Sequence, residues 1–192
     1  MGFLQKLLRM RSVTKDATIA VLGPSKAGKT TLVQFLETGE PQETAPLSTL
    51  GIDSRNDPVK FDSWNLKILD VGGQKMYQDA FWQFSIEQAQ GVIYVIDSTI
   101  TPKTNPEAFN AQISQYGFLL SIIPEDTVLM ILLNKQDIES SDKITPDNFS
   151  QYYPLDNLVN RSFAFLPTSA KFGNGVEEAF KWFIEKMNQI SK

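Results

Sequence analysis

Apolar runs and amphipathic stretches alternate along the chain. Ala17-Thr18-Ile19-Ala20-Val21-Leu22 is apolar and β-branched and stops at Gly23, which predicts a strand. A helix is expected from about Gly28 to Glu37. Residues 38–50 carry Gly, Pro, Thr and Ser with little periodicity and read as a long loop, a feature that compact domains keep for function or motion. Strands are expected over Ile52–Phe61 and Leu66–Val71, joined near Asp62-Ser63. Pro58 assigns the first of them to a sheet edge, because proline has no N–H for a central ladder. A helix at Met76–Gln88, a strand at Gly91–Asp97, a helix at Pro106–Ser121 and a strand at Val128–Leu133 follow. Thr145-Pro146-Asp147 reads as a helix start, with a capping side chain and proline at the first helical position. A strand at Ser162–Leu166 and a helix at Val176–Ile190 close the chain. Near-continuous apolar strands separated by helices predict an α/β fold with a mostly parallel sheet buried on both faces. Such sheets bind ligands beyond the carboxyl ends of their strands.

Composition narrows the chemistry. The chain has 192 residues, the size of one domain with a sizeable core. The net charge of -4 gives no reason to expect nucleic acid, which favours basic surfaces. Cysteine and histidine are both absent, which excludes disulfides, thiolate metal sites and imidazole acid–base catalysis. No apolar run approaches the ~20 residues of a membrane span, and no secretory pattern opens the chain, so a cytoplasmic protein is expected.

Gly23-Pro24-Ser25-Lys26-Ala27-Gly28-Lys29-Thr30 fits the phosphate loop G-x-x-x-x-G-K-[ST] and is followed by Thr31. Backbone N–H groups ahead of a helix N-terminus cradle anions. Gly23 and Gly28 permit the sharp turn, Lys29 can reach the terminal phosphates, and the Thr30 hydroxyl can ligate Mg²⁺. A surface lysine in an ordinary turn would match the same letters. The strand before the motif and the helix after it supply the required context. Asp70-Val71-Gly72-Gly73-Gln74 lies at another strand end. Asp70 is placed to hold the metal through a water, Gly73 to offer its N–H to a γ-phosphate, and Gln74 to orient the attacking water. Thr49, in Ser48-Thr49-Leu50-Gly51, is the candidate second hydroxyl on the metal.

Asn134-Lys135-Gln136-Asp137 follows the Val128–Leu133 strand and can tell guanine from adenine. The Asp137 carboxylate can accept from both N1–H and N2–H₂ of guanine; adenine offers no such pair and would leave the carboxylate desolvated and unmatched. Asn134 can bond the base and tie neighbouring loops, and the Lys135 stem can cover one base face. In Thr168-Ser169-Ala170-Lys171 the Ala170 N–H can meet guanine O6, and Lys171 can cover the other face.

Together these boxes resemble the small Ras-like GTPases, and more closely the Arf and Arf-like branch. Asp70-Val71-Gly72-Gly73-Gln74, Asn134–Asp137 and Gln90–Ser98 carry the closer likeness. The resemblance covers nearly the whole chain. It implies a phosphate-loop (P-loop) NTPase G domain over residues 13–192, with a mostly parallel six-stranded sheet and five helices. It also implies GTP and GDP binding with Mg²⁺, slow GTP hydrolysis, and two loops, about Gln42–Gly51 and Gly72–Ala80, that change shape with the nucleotide. An exchange factor, a GTPase-activating protein and effector proteins are the implied partners of a monomer. The chain departs from the branch in carrying Ser25-Lys26 where Asp-Ala is usual and Ser48 where proline is common. A nucleotide-gated binding or scaffold module with vestigial hydrolysis is the alternative, against which Gln74 and Thr49 stand.

On a helix at ~100° per residue, Phe3, Leu4, Leu7, Leu8 and Met10 share one face, and Gln5, Lys6 and Arg9 the other. A basic amphipathic helix over residues 1–12 can lie in a lipid interface through residues 2–11, or pack on the protein or a partner. It resembles the N-terminal helix of Arf-like proteins, so peripheral membrane association is expected. Gly2 invites myristoylation, but Lys6 stands where the acylation pattern has Ser or Thr, and the absence of cysteine excludes prenyl and palmitoyl anchors.

Overall fold

A computed structural model describes residues 15–44, 46–54, 57–75 and 78–190. Seven strands form one sheet: β1 (Lys15–Leu22), β2 (Ile52–Ser54), β3 (Val59–Phe61), β4 (Trp64–Val71), β5 (Gly91–Asp97), β6 (Val128–Asn134) and β7 (Phe163–Pro167). Five α-helices are described: α1 (Lys29–Thr38), α2 (Gln83–Gln88, entered through a wide turn at Gln78–Trp82), α3 (Pro106–Ile122), α4 (Phe149–Tyr152) and α5 (Val176–Ile190). The expected amphipathic helix at the chain start lies outside the described residues.

The sheet order is β2-β4-β1-β5-β6-β7, with β3 also on β4. The pairs from β4 through β7 are parallel, while β2 and β3 run antiparallel to β4. Strand periodicity sorts the core onto two faces. Ile19, Val21, Ile93, Val95, Met130 and Leu132 join α1 and α5 through Leu32, Phe35, Phe180 and Phe183. Ala20, Leu22, Tyr94, Ile96, Leu129 and Ile131 join α3 and α4 through Tyr116, Leu119 and Phe149. Both faces are covered, which is why these strands read as apolar runs without alternation. The chain leaves β1 through α1 on one face and β5 through α3 on the other. The carboxyl ends of these two neighbours therefore open a crevice.

Two expectations need correction. The single strand expected over Ile52–Phe61 is two pieces. Ser54 pairs with Leu69 while Val59 pairs with Leu66, so the register shifts between β2 and β3, where Pro58 cannot contribute an N–H. Both pieces pair only with β4, at the sheet edge. Thr145-Pro146-Asp147 makes a turn rather than a helix start. Asn148 accepts from the Thr145 N–H at 2.8 Å and donates to the Lys143 carbonyl at 2.9 Å, which satisfies the loop locally. The helical turn α4 begins only at Phe149, whose ring is buried. By contrast, α3 starts as expected at Pro106, with Asn105 accepting from the Ala108 N–H at 3.0 Å.

Candidate functional site

The loop between β1 and α1 is shaped by what it must approach. Gly28 has φ 101°, and a Cβ there would overlap the Asn134 side chain, so glycine alone fits. The Lys29 ammonium is folded into the loop, donating to the carbonyls of Gly23 at 2.9 Å and Pro24 at 2.8 Å. Burial lowers its pKa to about 8, against the opposing pull of the Asp70 carboxylate.

Beside the lysine, three oxygens meet. The Thr30 hydroxyl donates to Asp70 Oδ2 at 2.7 Å, the Thr49 hydroxyl reaches the same oxygen at 3.2 Å, and the two hydroxyls lie 2.9 Å apart. They come from the start of α1, the long loop before β2 and the end of β4. Such hard oxygen donors fit Mg²⁺. Gly73 is backed onto the phosphate loop: a Cβ there would overlap the backbone of Gly23, Pro24 and Ser25. The Gly72 N–H donates to the Gly51 carbonyl at 2.8 Å, so the two expected mobile loops meet at these glycines. A cleft of ≈ 350 Å³ is lined by Ser25, Lys26, Gly28, Lys29, Thr30, Thr31, Thr49 and Gly73, with Pro46–Ser48 and Lys135 at its rim. Gln74 is half-buried and is not among the lining residues.

A second cleft, of ≈ 390 Å³, adjoins the first through Gly28, Thr31 and Lys135. Asn134, Asp137, Ile138, Ala170 and Lys171 line it, and Gln42–Thr44 cover it. Asn134 is buried and ties three segments: it donates to the Ala27 carbonyl at 2.7 Å and accepts from the Ala170 N–H at 2.8 Å. Thus the Ala170 N–H, expected to face a base, is held by Asn134 here. The Lys171 ammonium sits over the Phe172 ring, 5.0 Å from its centroid, rather than extending across the cleft. Ser169 accepts from the Phe172 N–H at 3.3 Å and stabilises the turn from behind. Asp137 is exposed toward the cleft and makes no hydrogen bond or ion pair with the described residues.

Several contributors escaped sequence reasoning. Asp97, at the end of β5, pairs with the Lys135 ammonium at 2.6 Å and also accepts from the N–H and hydroxyl of Thr99. Its position at a strand terminus, like that of Asp70 and Asn134, was the available signal. The Gln42 N–H donates to the Lys171 carbonyl at 2.8 Å and fixes the cover of the second cleft. Gln115 of α3 reaches the Gly73 carbonyl at 3.4 Å. Nothing in the residue pattern announced either of these.

Two clefts that share a wall, one lined by the phosphate-loop motif beside clustered hydroxyl and carboxylate oxygens and one edged by a carboxylate unpaired among the described residues, fit a phosphate-loop nucleotide-binding domain at the crevice of a doubly covered sheet. Comparison with known proteins gives the family. The profile of the ADP-ribosylation factor family matches residues 3–187. ADP-ribosylation factor-like protein 3 of Chlamydomonas reinhardtii is 28% identical over 97% of this chain and 99% of its own length. The ADP-ribosylation factor of Encephalitozoon cuniculi is 30% identical, covering 97% and 91%. The structure of the Arl6 BBS3 small GTPase from Trypanosoma brucei, with bound nucleotide analogue GppNp, superposes with a TM-score of 0.74 at 18% identity and covers 91% of this chain and 98% of that one. The chain belongs to the ADP-ribosylation factor family. It is a small GTPase, a molecular switch that binds and hydrolyses GTP.

Proposed function

We propose that the two clefts hold the two ends of one guanine nucleotide. The phosphates rest on Gly23–Thr31, with Lys29 on the terminal groups and the Gly73 N–H facing the γ-phosphate. Thr30 and Thr49 would hold Mg²⁺ through their hydroxyls and Asp70 through a water. The ion supplies charge neutralisation on the phosphate oxygens. Asp137 accepts from the guanine N1–H and N2–H₂ groups, and Lys135 lies against the base. Gln74 orients the attacking water once its loop closes. The observation that carries this reading is the convergence of the Thr30, Thr49 and Asp70 oxygens within 2.7–3.2 Å, beside the cleft that Asp137 edges.

Equilibrium titration with GTP, GDP, ATP and ADP in magnesium buffer tests it. Selective binding of the guanine nucleotides, weakened by chelation of the metal, is expected; equal binding of adenine nucleotides would reject it.

Regulators and effectors are general to the family, and we assign the Gln42–Gly51 and Gly72–Ala80 loops as the surface they read. Among the described residues no helix is long and apolar enough to cross a membrane. The apolar and basic positions of residues 2–11, sorted at helical spacing in the sequence, support assigning reversible membrane contact to that segment. Liposome sedimentation of the full chain and of one lacking residues 1–11, loaded with GDP or a GTP analogue, tests this. Loss of binding on truncation supports the anchor, and unchanged binding removes it.

A further inference from the structure

The phosphate loop contains two lysines, and the nucleotide reading gives a side-chain role to Lys29 alone. Lys26 stands at the loop's apex with φ 64°, in the left-handed region. Among the described residues only Lys26, Asp62 and Lys135 combine a side chain with positive φ. Asp62 occupies the tight turn between β3 and β4, where aspartate is a favoured left-handed residue. Lysine has no such preference, and glycine would adopt this conformation without steric penalty. Both left-handed lysines line the phosphate cleft. Strained backbone of this kind clusters at functional sites.

The two ammonium groups differ in what they touch. Lys29 is enclosed by the Gly23 and Pro24 carbonyls, and Lys135 is paired with Asp97. Lys26 is exposed, lines the same cleft and has no carboxylate or carbonyl partner among the described residues. A bound triphosphate brings more negative charge than Lys29 and one divalent cation neutralise. A flexible ammonium on the loop's rim is a ready counter-charge.

We propose that Lys26 is a cation acting in cis on the phosphate chain. Its ammonium bonds phosphate oxygen in the bound nucleotide and stabilises the charge that gathers on the departing diphosphate. In that reaction the water oxygen bonds to the γ-phosphorus as the bond from that phosphorus to the bridging oxygen breaks. The bridging electron pair stays with GDP, and both water hydrogens leave with the inorganic phosphate. Lys26 exchanges no proton; it offsets charge on the leaving oxygens. The inference rests on the phosphate chain occupying the first cleft, as proposed above.

The test compares wild-type protein with Lys26→Gly, Lys26→Met and Lys26→Arg, reading magnesium-GTP affinity, single-turnover hydrolysis at saturating GTP, and the thermal midpoint of the nucleotide-free form. Lys26→Gly and Lys26→Met are expected to lower the hydrolysis rate on the order of tenfold and to weaken GTP more than GDP, while Lys26→Arg retains both. The midpoint of Lys26→Gly is expected to hold or rise, because glycine relieves the left-handed strain. A merely structural lysine would behave oppositely, with a lower midpoint and an unchanged rate per bound GTP. Wild-type rate and affinity in Lys26→Gly, with guanine selectivity intact, would overturn the Lys26 assignment alone. No binding of GTP or GDP by wild type would overturn the nucleotide reading and this inference with it.

Discussion

Lys135 Nζ lies 2.6 Å from Asp97 Oδ2, joining the ends of two neighbouring parallel strands at the floor of the nucleotide crevice. Asp97 is opposite Asn134 in the β5–β6 register, so the carboxylate sits directly below the loop that carries Lys135. Its other oxygen caps Thr99, which leaves the carboxylate little freedom to move. The pair holds the lysine stem at the wall shared by the two clefts.

Asp97→Asn should therefore loosen the nucleotide without touching it. Removing one charge-assisted bond to a mostly buried pair predicts roughly tenfold faster GDP dissociation. In a double-mutant cycle, Asp97→Asn should add little once Lys135→Ala is present. Stopped-flow release of a fluorescent GDP analogue measures this. Fully additive effects would show that Asp97 acts through another partner.

Lys29 gives the site a pH signature. Its folded pKa is lowered to about 8 from 10.5 by burial. Between those values the unfolded chain holds a proton that the folded, nucleotide-free chain has lost, so stability of the free form should rise with pH across that window. Phosphate oxygens favour the charged ammonium and push the pKa back up. Nucleotide binding above about pH 8 should then take up a proton at Lys29, and affinity should fall as pH rises further, by up to about tenfold per unit. Calorimetric titration at about pH 9 in two buffers of different ionisation enthalpy reads the proton directly. Equal heats in both buffers would contradict this role for Lys29.

Gln74 begins a loop whose preceding residue is pressed against the phosphate loop, yet it does not line the phosphate cleft. Gln74→Leu should leave GTP affinity near the wild-type value and lower single-turnover hydrolysis on the order of tenfold or more. An arginine from an activating partner should raise the wild-type rate ~10³–10⁵-fold. An unchanged intrinsic rate in Gln74→Leu would remove Gln74 from water positioning and favour a binding module with vestigial hydrolysis.

The elements best read from sequence are those whose signal is local. Gly91–Asp97 and Val176–Ile190 match the expected spans because one is an unbroken apolar run and the other is amphipathic from end to end. The phosphate loop was legible because its glycines, lysine and threonine act within one turn. Features made by distant partners were not. The register shift between β2 and β3 depends on where each segment meets β4. Asn148 redirects the Thr145 turn through its own side chain, which a capping pattern does not reveal. The Ala170 N–H meets Asn134, and Lys135 meets Asp97, because the sheet brings strand ends together.

In the proposed reading, guanine recognition turns on Asp137. It edges the second cleft with its carboxylate unpaired among the described residues. Equilibrium binding of GTP, ATP and xanthosine triphosphate to wild type and to Asp137→Asn, in magnesium buffer, tests the account most directly. The expected result is a wild-type preference for GTP over ATP and a loss of GTP affinity in Asp137→Asn of at least about a hundredfold with a gain for the xanthine nucleotide, because xanthine carries an acceptor where guanine carries the N2 donors. Undiminished GTP affinity in Asp137→Asn, or a wild-type protein indifferent to the purine, would contradict it.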